Sequence, residues 1–258
     1  MTDALLIATG APAAACALAG ALAYVSVAPT SCFWGPVVHR GDTGGMPRYA
    51  LTFDDGPCER ATPLILDTLR DLNARAAFFV IGVNARRSPR VVRRMYDEGH
   101  VVANHSFDHS HFGVMRLGRY WDRQLRQTDE LLESIIGVRP ALFRPPMGVR
   151  HIHLTRAVRR SGHTLLTWTR RGLDGVTTSA ERIVHRLVPP TRAGDILILH
   201  DGIDPNMKRD PSATVAAVRP LILGLRERGL EPAPLDELIG VAPYAPARAS
   251  AAGSSTPA

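Results

Sequence analysis

The sequence predicts an α/β domain built on a parallel sheet, either open or closed into a barrel. Three observations carry that reading. Short apolar runs alternate with segments of helical period along most of the chain. Gly99, Gly137, Gly162 and Gly229 each follow a helical run, where a left-handed cap favours glycine. Asp54-Asp55, His105, Arg144, Asp174 and His200-Asp201 fall after successive apolar runs. That is the edge of a parallel sheet where the strand-to-helix loops converge and active sites are built.

Taken in order, the first element is unlike the rest. Residues 4–38 hold no charge, and Ala4–Ala28 is dominated by Ala, Leu, Val and Ile. A bilayer core of about 30 Å takes roughly 20 residues, so the run reads as a hydrophobic helix anchoring the chain to a membrane of the cell envelope. Gly10, Pro12 and Gly20 are tolerated in membrane helices. A cleaved signal and a buried Ala-rich helix are the alternatives; only Asp3 precedes the run, where a signal carries basic residues. Arg40 and Arg48 follow it, which on the positive-inside rule votes for a cytoplasmic domain.

Gly41–Met46 reads as a linker. Strands are expected at Tyr49–Phe53, Ala76–Ile81, His100–Ala103, Ala141–Phe143, Thr164–Trp168 and Asp195–Leu199, with a weaker one at Leu230–Ala233. Helices are expected at Thr62–Leu72, Pro89–Glu98, Arg119–Ile136, Ile152–Ser161, Ser179–Val188, Ser212–Arg228 and Leu235–Ile239. Val241–Ala258 is rich in Ala, Ser, Pro and Gly and reads as a disordered tail. The expected division is residues 1–46 as anchor and linker, 47–240 as one catalytic domain, and 241–258 as tail.

Composition narrows the classes. With 45% hydrophobic residues, wholesale disorder is excluded. The formal charge of +7 invites a polyanion partner. Lys208 is the only lysine, however, and the arginines are scattered in pairs such as Arg93-Arg94 and Arg159-Arg160. They read as solvated helix faces, and no nucleic-acid partner is expected. Cys16, Cys32 and Cys58 are too few for a disulfide framework, and none stands at metal-ligand spacing from another.

The polar clusters carry the chemistry. In Thr52-Phe53-Asp54-Asp55-Gly56-Pro57, two adjacent carboxylates repel each other, so one calls for a cation. Strand pleating suits them to two roles, one on a metal and one as a base; an Asp-Gly-Pro turn with capping aspartates is the structural alternative. His105 and His109 stand four apart in His-Ser-Phe-Asp-His, so both imidazoles reach one ion; with an aspartate they make a two-His, one-carboxylate set. His111 is a spare, expected on the surface or behind the ligands. Phe143-Arg144-Pro145-Pro146-Met147-Gly148 is a stiff turn presenting an arginine. Asp174 and Leu197-Ile198-Leu199-His200-Asp201 are weaker signals alone.

Together these motifs, in this order, resemble the polysaccharide deacetylases of the NodB homology domain, carbohydrate esterase family 4, over roughly Pro47–Gly240. The resemblance implies a distorted (β/α) barrel of about seven strands. It also implies hydrolysis of N-acetyl groups on amino-sugar glycans, with zinc or another divalent ion. On that basis Asp55, His105 and His109 hold the metal and Asp54 is the general base toward metal-bound water. Arg144 pairs with Asp54, and Met147 offers its backbone N–H to the oxyanion. His200 protonates the leaving amine with Asp174 behind it. Pro145, Met147, Leu197 and Leu199 are expected to contact substrate, the leucines lining the acetyl pocket.

Two positions depart from the family. Met147 stands where an aromatic residue is usual, and Gly175 where a tryptophan follows the motif aspartate. Both usually wall the sugar groove, so the departures bear on substrate rather than on chemistry. An amidase or deformylase on a lipid-linked sugar is the alternative enzyme. A membrane-tethered glycan-binding module is disfavoured because every expected catalytic position is filled.

Overall fold

In this computed structural model the described residues are 2–116, 119–176, 178–205, 207 and 210–246; the side chains of 2–12, 114 and 115 stand outside that set. The chain runs α1 (Thr2–Val27), β1 (Arg48–Asp54), α2 (Thr62–Asp71), β2 (Ala77–Val80), α3 (Gly82–Arg87) and α4 (Pro89–Asp97). It continues through β3 (Val101–Asn104), α5 (Tyr120–Ile136), β4 (Leu142–Phe143), α6 (Ile152–Arg160), β5 (Thr164–Leu165) and β6 (Arg170–Arg171). Then follow α7 (Ala180–Leu187), β7 (Ile196–His200), α8 (Ser212–Glu227), β8 (Glu231–Pro232) and α9 (Leu235–Ile239).

Seven strands lie parallel in the order β5-β4-β3-β2-β1-β7-β6, and β8 pairs with the start of β1. The sheet curls into an incomplete barrel. β1 is central and buried on both faces, so its sequence is a near-continuous apolar run rather than an alternation. Pleating sorts the strand residues into two layers. Tyr49, Leu51, Phe53, Leu197 and Leu199 face the outer helices in the main core. Ala50, Ala77, Phe79, Ala103, Ile196 and Ile198 fill the barrel interior, where small side chains suit the taper.

Two elements were not expected. β6 is an Arg-Arg pair with no apolar signal, held as a strand by backbone pairing of Arg170 and Arg171 with Leu197 and Ile198. α3 is a single short helix after β2. Helix ends follow the sequence: Gly137 and Gly240 close α5 and α9 in left-handed geometry, with φ of 83° and 65°.

The N-terminal segment behaves differently from a free linker. α1 covers most of the charge-free run, yet among the described residues no helix is long and apolar enough to cross a membrane. Beyond it, residues 28–42 strap onto the domain. Arg150, 2% exposed, donates to the carbonyls of Ala28 and Pro29. Thr155 Oγ1 donates to the Trp34 carbonyl at 2.8 Å, and Val38 bridges to Leu166 beside β5. Arg40 pairs with buried Asp195 at 2.8 Å, and the Asp42 N–H donates to the Leu238 carbonyl. Residues 241–246, expected in the disordered tail, also pack: Tyr244 bridges to Pro140 and its hydroxyl accepts from the Val102 amide at 3.1 Å. An aromatic ring with a buried partner outweighs the polar composition around it. The rest of that tail, 247–258, lies outside the described residues.

Candidate active site

The curled sheet brings the C-terminal ends of β1, β3, β4 and β7 to one cavity. Asp54 and His200 are the last residues of β1 and β7 and are paired in register. Period-two pleating then turns Thr52, Asp54, Ile198 and His200 toward the interior. His105 follows β3 directly, and Arg144 follows β4.

Asp55, His105 and His109 converge with ligand atoms within 4.8 Å of one another. Asp55 Oδ1 lies 3.4 Å from His105 Nε2 and 3.3 Å from His109 Nε2. Two ligands at ordinary zinc bond lengths on a tetrahedral ion stand roughly 3.3 Å apart, so the donor set fits such an ion. The ring orientations fit as well. His105 Nδ1 donates to the Arg144 carbonyl at 2.8 Å, and His109 Nδ1 to Asp204 Oδ2 at 2.9 Å. Both rings thereby turn an Nε2 lone pair toward Asp55, as metal-ligating histidines do. Burial opposes ionisation of Asp55, but the surrounding imidazoles of His105, His109 and His200 outweigh it and hold the carboxyl well below its usual range.

Two carboxylate–cation pairs flank this cluster. On one side Arg144, fully buried, donates from Nη1 to Asp54 Oδ1 at 2.6 Å and to Thr52 Oγ1 at 2.8 Å. Its guanidinium lies 3.9 Å from the Phe79 ring centroid, a cation–π contact in a dry interior. On the other side His200 Nδ1 meets Asp174 Oδ1 at 2.9 Å, while Asp174 Oδ2 accepts from the His200 amide and from Thr214 Oγ1. Burial alone would lower the His200 pKa; the Asp174 hydrogen bond and charge reverse that and push it up to about 9.

The backbone is bent to make these placements. Asp55, Ser106, His109, Met147 and Leu173 all have φ between 50° and 71°, unusual for side-chain-bearing residues. Each such residue costs about 1–3 kcal/mol, and such strain clusters at functional sites. A Cβ on Gly202 would lie 2.1 Å from the Asp55 carbonyl, so the turn after His200-Asp201 admits only glycine.

The cavity has a volume of about 330 Å³ and is lined by Asp54, Asp55, His105, His109 and His200 among others. A larger groove of about 590 Å³ runs between Trp34–Val38 and α6, but its lining holds no carboxylate and it lies away from the charged cluster.

Of the expected substrate contacts, Met147 lines the cavity and is 47% exposed, with no protein acceptor for its amide among the described residues. Leu197 and Leu199 do not line it. Both are fully buried among the outer helices, and Ile198 is the apolar residue that β7 places on the cavity wall. The reason is parity, since His200 points inward and its inward neighbour is two residues back. Pro145 is likewise absent from the lining; its carbonyl accepts the Gly148 amide and shapes the turn.

Three contributors went unread in the sequence. Trp168 supplies an aromatic wall from the end of the β5 segment, packed so closely on Gly148 that a Cβ there would meet the indole at 2.6 Å. Asp204 holds both His109 and His111, which places His111 behind the ligands, one of the two positions expected of it. Thr167 links the strap to the buried arginine: its hydroxyl donates to the Pro29 carbonyl at 2.8 Å, and its own carbonyl accepts from Arg144 Nη2 at 3.0 Å. The motif at Trp168 could have been found from its place at a strand end; Asp204 and Thr167 carry no spacing signal.

The polysaccharide deacetylase family model matches residues 41–166. A peptidoglycan-N-acetylglucosamine deacetylase of Bacillus cereus is 33% identical over 202 residues, covering 74% of this chain and 87% of its own. The chain belongs to the polysaccharide deacetylase family. A chitooligosaccharide deacetylase of a Bradyrhizobium species is 32% identical over 204 residues, 77% of this chain and 93% of that one. Among solved structures, the Bc1960 peptidoglycan N-acetylglucosamine deacetylase has a TM-score of 0.72 at 28% identity, covering 80% of this chain and 94% of that one. A family 4 carbohydrate esterase from Streptomyces lividans, solved with acetate, has a TM-score of 0.64 at 32% identity, over 72% and 91% of the two chains. The polysaccharide deacetylase fold is thus shared along nearly the whole of these relatives.

Proposed function

We propose that the chain is a metal-dependent hydrolase that removes N-acetyl groups from an amino-sugar glycan. The observation that carries this reading is the pair of separated carboxylate–cation couples on either side of a two-histidine, one-aspartate cluster. A divalent ion on Asp55, His105 and His109, zinc on the chemistry of these donors, would polarise the amide and lower the pKa of a water. Asp54 takes the proton of the attacking water, with Arg144 pairing with its other oxygen and aiming it. The Met147 amide donates to the oxyanion. His200 gives its proton to the departing nitrogen, so amide and water become acetate and free amine.

The charge-free run, with Tyr24 and Phe33 exposed at its end, supports α1 as an anchor at a membrane of the cell envelope. On this reading the catalytic unit starts at the strap, near Ala28, rather than at Pro47. The test is one preparation with two readouts. The full chain is expected to stay in the membrane pellet after an alkaline carbonate wash. That pellet is then expected to release acetate from N-acetylated chito-oligosaccharides, losing activity on chelation. Absence of acetate with metal supplied sinks the enzymatic reading, and release into the supernatant sinks the anchor.

Asp204 is a positioning residue in this scheme. Asp204→Ala is expected to weaken metal binding about 10–100-fold, since the second hydrogen bond of a ligating histidine sets its tautomer and aim. Competition with a chelating dye measures it, and an unchanged affinity would remove Asp204 from the scheme.

A further inference from the structure

Exposed apolar side chains are unevenly spread over this molecule. Met147, Leu173, Val176 and Met207 line the catalytic cavity and are all exposed, Val176 to 66%. Phe112, 75% exposed, directly follows His111, which lines the cavity. A second group, Leu18, Leu22, Tyr24, Val27 and Phe33, runs along the end of α1 and the strap. Elsewhere among the described residues, only Met46, Leu64 and Leu223 are large, apolar and exposed.

The two groups share one edge of the domain. α1 ends at Val27, and the next two carbonyls are held by Arg150 and Thr167. Arg150 lies two residues after Gly148, and Thr167 immediately precedes Trp168; Gly148 and Trp168 are both cavity wall. Among the described residues a cation breaks the collar: Arg171 lines the cavity and is exposed, between Trp168 and Leu173.

A hydrated glycan polymer leaves such a collar wet, and exposed apolar patches of this kind mark contact with another apolar phase. An amphiphile satisfies all three features at once. Its amino sugar enters the cavity, an anionic linkage meets Arg171, and its hydrocarbon lies with the collar in the bilayer interface beside α1. We propose that the substrate is an N-acetylated amino sugar carried on a phosphate-linked lipid, taken while that lipid remains in the membrane. This rests on the deacetylase reading above and names its substrate class.

The test uses the full chain reconstituted in vesicles of phosphatidylethanolamine and phosphatidylglycerol. Acetate release is followed from N-acetylglucosaminyl-diphosphate-polyprenol in those vesicles and, separately, from soluble N-acetylated chitotetraose. The expected result is a kcat/KM at least ten-fold higher for the lipid-linked sugar. In the double variant Phe112→Ser, Val176→Ser, the ratio of lipid-linked to soluble turnover is expected to fall at least ten-fold. Turnover of chitotetraose equal to or better than that of the lipid, or a ratio unmoved by the double variant, overturns the lipid proposal while leaving deacetylation intact. Acetate from neither substrate overturns the deacetylase reading itself, and the lipid proposal with it.

Discussion

Replacing Asp54 with asparagine is expected to cut turnover by about 10²–10⁴-fold, the contribution of a positioned proton acceptor, while leaving the metal bound. The geometry separates the two aspartates. Asp55 Oδ1 sits between the two imidazoles, whereas Asp54 gives one oxygen to Arg144 and turns the other toward the cluster, 3.7 Å from His105 Nε2. An amide of the same size keeps the shape and an acceptor for Arg144 but cannot take a proton. It also leaves a fully buried guanidinium without its counter-charge. Breaking a buried ion pair by removing one partner costs about 3–5 kcal/mol, so a lowered melting temperature accompanies the loss of rate. Metal analysis alongside turnover is decisive. A variant that turns over normally ends the assignment of Asp54 as base, and one that loses its metal means the two aspartates have exchanged roles.

The second large effect is at His200. With its pKa pushed up to about 9, His200 is protonated at neutral pH and ready to act as an acid. His200→Asn is expected to lower kcat by about 10²–10⁴-fold. In the parent enzyme activity holds through neutral pH and falls as pH rises through about 9. Asp174→Asn removes the charge responsible, so its alkaline limb moves down toward the ordinary histidine range near 6.5. The same linkage acts on stability. Because the folded pKa is raised above the unfolded value, the His200–Asp174 contribution is complete below about pH 6.5 and is lost as pH climbs through about 9. Melting temperatures across that window should decline more steeply in the parent than in Asp174→Asn. An alkaline limb that does not move in the variant would take Asp174 out of the proton transfer.

What the sequence made legible follows from which signals are local. Apolar runs mark strands buried on both faces, so six of the seven parallel strands could be read. Arg170-Arg171 could not, because that strand is defined by its neighbour β7 rather than by its own side chains. The site residues at strand ends were legible because a parallel sheet collects them at one edge. The cavity wall was misread by one residue: Leu197 and Leu199 are as apolar as Ile198, and only the inward direction of His200 fixes the parity. Asp204 and Thr167 were invisible for a different reason. Each acts across a long sequence separation, 95 residues to His109 and 138 to Pro29, and no local pattern records such a contact. Where the family pattern led the sequence reading to expect two aromatics, Met147 and Gly175 stand, yet the cavity has an indole, because Trp168 reaches it from the segment after β5.

The line of hydrogen bonds from Pro29 through Thr167 and Arg144 to Asp54 limits where the chain can be cut and rejoined. Catalytic domains that travel between genes as cassettes need borders that chemistry ignores, so that any leader can be spliced in front. Here the border passes within three bonds of the proposed base. A recombination that exchanged the leader would also have to supply carbonyls for Thr167 and for the buried Arg150, or leave both unsatisfied in the interior. Residues 28–42 and the sheet are therefore one folded unit, and a graft of this sheet onto a foreign N-terminal segment carries its fault line into the active site.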